Sequence, residues 1–192
     1  MGRKAGITLD DVAEAAASIA DSDGLEATTL TAVAVELGIK TPSLYNHVSG
    51  LAGLRRLLAM HGSHLVYEVF EEAIGDRVGA DALRSIARAD REFALDHPGL
   101  YASFLPAPKP DEDPELYEAM AEPVFLVAHV LLNMGIPPSE AIHLIRALRA
   151  LLHGFLDLEA KDGFGMPVDI DASFNASVEL IIAGIKAAAE AN

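Results

Sequence analysis

Apolar residues recur at helical spacing along nearly the whole chain, and no stretch alternates apolar and polar residues as a strand would. Leu9, Val12, Ala16 and Ile19 keep the three-and-four spacing of one helix face. Thr8 and Asp11 stand where the free N–H groups of a helix start need acceptors, and Asp23-Gly24 supplies a stop. Thr28-Thr29 caps a second, short helix over residues 30–37, closed by Gly38. Thr41-Pro42 opens a third, with proline in the first turn where its missing N–H costs nothing, and Ser49-Gly50 ends it. A fourth helix is predicted over 51–75. Beyond it the pattern predicts helices over 79–96, 98–105, 114–134, 138–161 and 171–191. Between them lie a proline-rich loop, PAPKPDEDP (106–114), and a linker, DGFGMPVDI (162–170). The expected class is all-α. No repeat at a period of 20–50 residues is visible.

Composition narrows the class of function. Of the 192 residues, 51% are hydrophobic, enough for a packed core, and none is cysteine. A disulfide framework, an iron–sulfur cluster and a thiol nucleophile are thereby excluded. The segment after Arg3 and Lys4 carries Asp10, Asp11 and Glu14, so it has no apolar signal-peptide core, and the longest apolar run, 123–132, is too short to span a membrane. A soluble cytoplasmic chain without a membrane partner is expected.

The net charge of −15 argues at first against nucleic acid, since phosphates repel an acidic surface. The charge is uneven, however. Residues 1–60 hold five basic and seven acidic side chains, a net of −2, which leaves −13 for the remainder. The objection therefore weakens for the N-terminal third.

Within that third, LTAVAVELG followed by IKTPSLYNHV places two short helices around a tight glycine turn, the geometry of a helix-turn-helix. Ala34, Leu37, Ile39, Leu44 and Val48 are the expected inward positions. Lys40, Thr41, Ser43, Tyr45, Asn46 and His47 are left polar and outward. Lysine neutralises phosphate, hydroxyls donate to phosphate or bases, and Asn and His read base edges. From spacing alone, an ordinary helical turn with a solvated polar face fits equally well.

AVELGIKTPSLYNHVSGLAGLRRLL decides between these, because it resembles the DNA-binding domain of the TetR (tetracycline-repressor-like) family of bacterial regulators. Leu44-Tyr45, His47, Val48 and Leu54 fall in the family's register. The resemblance implies a three-helix helix-turn-helix domain over 1–50 and a larger helical ligand-binding and dimerisation domain over 51–192, connected by helix 51–75. It implies DNA contacts at Thr29, Thr31, Lys40, Thr41, Pro42, Ser43, Tyr45, Asn46 and His47. The Tyr45 ring could instead pack with only its hydroxyl at phosphate, and His47 could cap or pack. Arg3 and Lys4 could form a basic arm. One departure is Leu51, which stands where the family usually has a phosphate-binding lysine; Arg55, Arg56 or a backbone N–H could substitute.

For the second domain the resemblance implies a small-molecule effector, largely apolar, and a homodimer on a near-palindromic double-stranded operator. HPGLYASFL (97–105) resembles the short helix after an H-P break in these proteins. RALRALLHGFLDLE (146–159) resembles a subclass named for a Trp-His-Gly triplet, with leucine here in place of the Trp. Pocket candidates are Phe93, Tyr101, Phe104, Phe125, His129 and His153, each with plain core packing as the alternative. Two apolar stripes are expected to form the dimer interface: Ile142, Ile145, Leu148, Leu152 and Phe155 on one helix, and Phe174, Val178, Ile181, Ile182 and Ile185 on the other, where Ser177, Gly184 and Ala188 add small residues. His129, His143 and His153 lack the spacing of a zinc site, so no metal and no cofactor are expected. No G-x-S-x-G, P-loop or G-x-G-x-x-G is present, so an enzyme is not expected. The expectation is a ligand-responsive repressor; the alternative is a helical ligand-binding or interaction protein with a degenerate DNA-binding head.

Overall fold

Thr8 opens the first helix as the spacing predicts. Its hydroxyl accepts the Asp11 N–H at 3.1 Å, and the Asp11 carboxylate accepts the Thr8 N–H at 2.6 Å. The Thr8 N–H, and the Thr8 hydroxyl, which donates to the same carboxylate oxygen at 2.8 Å, hold the Asp11 carboxyl below its ordinary range. The computed structural model describes residues 6–190, so Arg3 and Lys4, the expected basic arm, lie outside the described residues. Among the described residues are nine α-helices and no strand: α1 (Leu9–Asp23), α2 (Leu30–Glu36), α3 (Thr41–Leu44), α4 (Gly50–Ile74), α5 (Gly79–Asp96), α6 (Pro98–Ser103), α7 (Pro114–Asn133), α8 (Pro138–Ala160) and α9 (Ile170–Glu190). The chain is all-α, and every predicted helix is present, with α3 and α6 ending earlier than the pattern predicts.

The helices gather into two compact units. The first holds the chain up to Leu65 and Asp96–Met120; the second holds Val66–Leu95 and the chain from Ala121 onward. Helix α4 contributes to both.

In the first unit, α1 turns Val12, Ala13, Ala16, Ile19 and Ala20 inward, and Val33, Ala34, Leu44, Leu54 and Leu58 complete the core. Each fully buried Val or Leu is worth about 1.5–3 kcal/mol. Helix α6 packs closely on α1. A Cβ built on Gly99 would lie 1.8 Å from the Ala20 carbonyl oxygen, so only glycine fits. Asp21 fixes the contact: its carboxylate accepts the Leu100 N–H at 2.8 Å and lies 2.9 Å from His97 Nδ1.

In the second unit, α8 and α9 pack side by side. Ile145, Leu148, Leu152 and Leu156 line the inner face of α8, and Phe174, Val178, Ile182 and Ile185 line that of α9. Helix α5 is bolted to them by ions. Arg91 donates to Glu159 at 2.6 and 3.0 Å and to Asp171 at 2.7 Å, with its guanidinium 4.8 Å from the Phe174 ring centroid. The hydrogen bonds to Glu159 raise the Arg91 pKa and so favour its charged form.

Candidate nucleic-acid interface

Helices α1, α2 and α3 build the candidate site. The Thr29 hydroxyl accepts the Ala32 N–H at 3.2 Å and starts α2. Gly38, at φ +66°, lets the chain reverse, and the Ile39 N–H closes α2 on the Ala34 carbonyl at 2.9 Å. Lys40 is extended, and Pro42 sits in the first turn of α3. The third helix is shorter than the sequence predicts. After Leu44 its hydrogen bonds tighten to the three-residue pattern, Asn46 N–H to Ser43 and His47 N–H to Leu44, before Val48 anchors the turn.

Leu44 is fully buried and Val48 nearly so, which fixes what the rest of the segment presents. Thr29, Thr31, Lys40, Pro42, Ser43, Tyr45 and Asn46 are exposed, and Thr41 and His47 are half-buried. The nine residues named from sequence therefore fall on α2, α3, the cap residue before each, and the turn after α3, and none is fully buried. Tyr45 is 61% exposed, so its ring is not a core element.

The cations that could meet phosphate are unequal. Arg55 of α4 pairs with Glu26 at 3.1 Å, both side chains exposed. Arg56 donates to Asp113 at 2.6 and 3.0 Å and to Glu115 at 2.6 Å. Those bonds raise the Arg56 pKa, the Asp113 bond most, and in return Arg56 and the Leu116 N–H hold the Asp113 carboxyl below its usual range. Among the described cations up to residue 60, Lys40 alone has no carboxylate partner. Leu51, in the first turn of α4, is 41% exposed and adds no charge there. The acids that hold Arg56 carried no signal in the sequence, since a separation of 57 residues follows no local period.

The pocket candidates divide between the two units. Tyr101 and Phe104 belong to the first unit, where their rings meet edge to face at 5.3 Å. Phe93, Phe125, His129 and His153 belong to the second. Phe93 is a buried core residue of α5. Phe125 is 67% exposed, and His129, one turn on, is exposed beside it. The inner face of α7 is taken by Pro123, Val127, Val130 and Leu131. His153 is half-buried on α8.

The expected dimer stripes divide between buried and exposed positions. Of the ten stripe residues, Ile145, Leu148, Leu152, Phe174, Val178, Ile182 and Ile185 are buried in the core of their own chain, Phe155 and Ile181 are half-buried, and Ile142 is 41% exposed. The most apolar stripe of each helix went inward because α8 and α9 cover one another. Their exposed apolar residues are mostly small, Ala147, Ala150 and Gly154 on α8 and Ala176, Ala183, Gly184 and Ala187 on α9, with Leu158 and Leu180 among the large ones.

Residues 83–181 match the tetracyclin repressor-like C-terminal domain. The HTH-type transcriptional regulator YobS of Bacillus subtilis is 34% identical over 186 residues, 96% of each chain. The HTH-type transcriptional repressor DrrR1 of Streptomyces coeruleorubidus is 49% identical over 57 residues, 30% of this chain and 21% of that one. The fold matches a crystal structure of BioQ with its double-stranded DNA operator, with a TM-score of 0.68 and 20% identity over 95% of this chain and 99% of that one. The chain belongs to the tetracycline-repressor-like (TetR) family and is a DNA-binding transcriptional regulator.

Proposed function

We propose that this regulator is a repressor that binds a near-palindromic operator as a homodimer and leaves it when a small, largely apolar molecule binds. The observation that carries the DNA half is the outward row Lys40, Ser43, Tyr45 and Asn46 standing over the buried Leu44 and Val48. Recognition helices enter the major groove in this way, with the first residues at base edges. The repressor name of DrrR1 and the operator bound by BioQ favour the same reading.

The dimer half rests on the outer face of α8 and α9. Among the described residues, α9 is the one helix long and apolar enough to cross a membrane, and only 22% of that apolar window is buried in the chain itself. Leu180 is 74% exposed on it. A second copy seated there would cover both helices as a four-helix bundle, with Ala183, Gly184, Ala147 and Gly154 small enough for close approach. A two-fold axis through that face sets two heads on successive major grooves, roughly 34–36 Å apart or somewhat more.

Release requires that the effector prefer the conformation whose heads are wrongly spaced. Helix α4 is the lever, because one continuous helix contributes to both units. A head that has lost DNA affinity is the competing reading, favoured by Leu51 and by the carboxylate partners of Arg55 and Arg56. Selection from random duplexes at low salt separates the two. Enrichment of an inverted repeat supports the repressor, and enrichment of no motif supports the degenerate head.

A further inference from the structure

A cleft of about 470 Å³ opens inside the first unit, between the first turns of α4 and the proline-rich loop that precedes α7. Its size lies in the range of small-molecule sites, about 300–1,000 Å³. Its walls are mainly apolar, with Ala52 and Ala59 on α4, Pro106 on the loop, and Leu116 and Met120 on α7.

The charged groups at the cleft differ in what they still offer. Asp113 already accepts two hydrogen bonds from Arg56 and one from the Leu116 N–H. Arg56 already donates to Asp113, Glu115 and the Met60 sulfur. Both are saturated. Arg55 also lines the cleft, but its partner is Glu26, whose side chain is 89% exposed. An exposed pair of this kind contributes about 0–1 kcal/mol, so another anion can displace it. The cleft thus presents an apolar wall and one exchangeable cation.

We propose that this cleft binds a small amphipathic carboxylate, its apolar body against Ala52, Ala59, Leu116 and Met120 and its carboxylate on Arg55 in place of Glu26. The exchange breaks one ion pair and forms another, with no proton transferred. A bound molecule would lie along the first two turns of α4, directly after the recognition helix. This site is in the head unit and stands apart from the effector reading above. Either can fail without the other.

Titration calorimetry of the full chain with octanoate, 1-octanol and octylammonium tests the proposal. Octanoate should bind more tightly than the alcohol, and octylammonium should not bind. Arg55→Gln should weaken octanoate about tenfold or more and leave 1-octanol unchanged, and Arg55→Lys should restore part of the loss. Glu26→Gln removes the competing anion and should tighten octanoate. Ala52→Phe fills the cleft and should abolish binding of both. Should Ala52→Phe fail to fold, the opposite directions of the two charge variants still carry the test, because damage to the fold would weaken binding in both. No octanoate binding, or binding indifferent to Arg55→Gln and Glu26→Gln, overturns the proposal.

Discussion

Asp113 accepts two hydrogen bonds from Arg56, at 2.6 and 3.0 Å, and so ties the start of α7 to the start of α4 across 57 residues of sequence. The pairing holds the Asp113 carboxyl below its usual range, and this sets the sign of a pH effect. An unfolded Asp protonates near pH 3.9. Stability from a carboxyl with a depressed folded value is fully present above that pH. It is lost as pH falls through the folded value, where both states become protonated. Asp113→Asn should therefore lower the melting temperature at pH 7, and the gap to wild type should narrow steadily below about pH 4. A gap that is constant from pH 7 to pH 3 would show that the charge of Asp113 contributes nothing.

Gly99→Ala tests the packing of α6 on α1. Alanine elsewhere in a helix gains up to about 1 kcal/mol over glycine. Here the new Cβ meets the Ala20 carbonyl oxygen at 1.8 Å, and that atom belongs to backbone that cannot swing aside. The expected result is a loss of about 1–3 kcal/mol in urea unfolding, as overpacking costs. Because α1 supports α2, operator affinity should fall with it. A stabilised Gly99→Ala protein would contradict this packing.

The head should bind DNA with a shallow salt dependence. Among its described cations, only Lys40 has no carboxylate partner. Lys40→Ala should weaken binding to every duplex alike and reduce the slope of log K against log salt by about 0.9 per head. Ser43→Ala or Asn46→Ala should instead cost about 1–3 kcal/mol at particular base pairs. Equal losses on operator and random DNA for these two would remove them from base reading.

What the sequence disclosed was local. The Thr8–Asp11 cap, the Gly38 turn and the buried Leu44 and Val48 obey short periods, so the helices and the outward row of α3 were legible. The end of α3 was not, because residues 45–47 stay polar and outward while the Asn46 and His47 hydrogen bonds shorten to three-residue steps. Contacts distant in sequence were also hidden. Arg56 looked like a phosphate ligand until Asp113 and Glu115 were found on it. Ile145 and Ile185 looked like interface because an apolar stripe does not say whether its cover is the neighbouring helix or a second chain; burial below 8% assigns both to the core.

That distinction yields the test of the dimer. Leu180 and Ile182 are two residues apart on α9, one 74% exposed and the other 1%. Ile182→Glu buries a charge beside Phe174 and Ile185 and should prevent folding. Leu180→Glu leaves the core intact and should keep wild-type helicity. Across a two-fold axis the new glutamate faces its own copy, and like charges brought together at an interface cost several kcal/mol. Light scattering at micromolar concentration should give twice 20.3 kDa for the wild type and close to 20.3 kDa for Leu180→Glu. Operator affinity should fall with the mass, because a lone head grips one half-site. A Leu180→Glu protein that stays dimeric would move the interface off the outer face of α9.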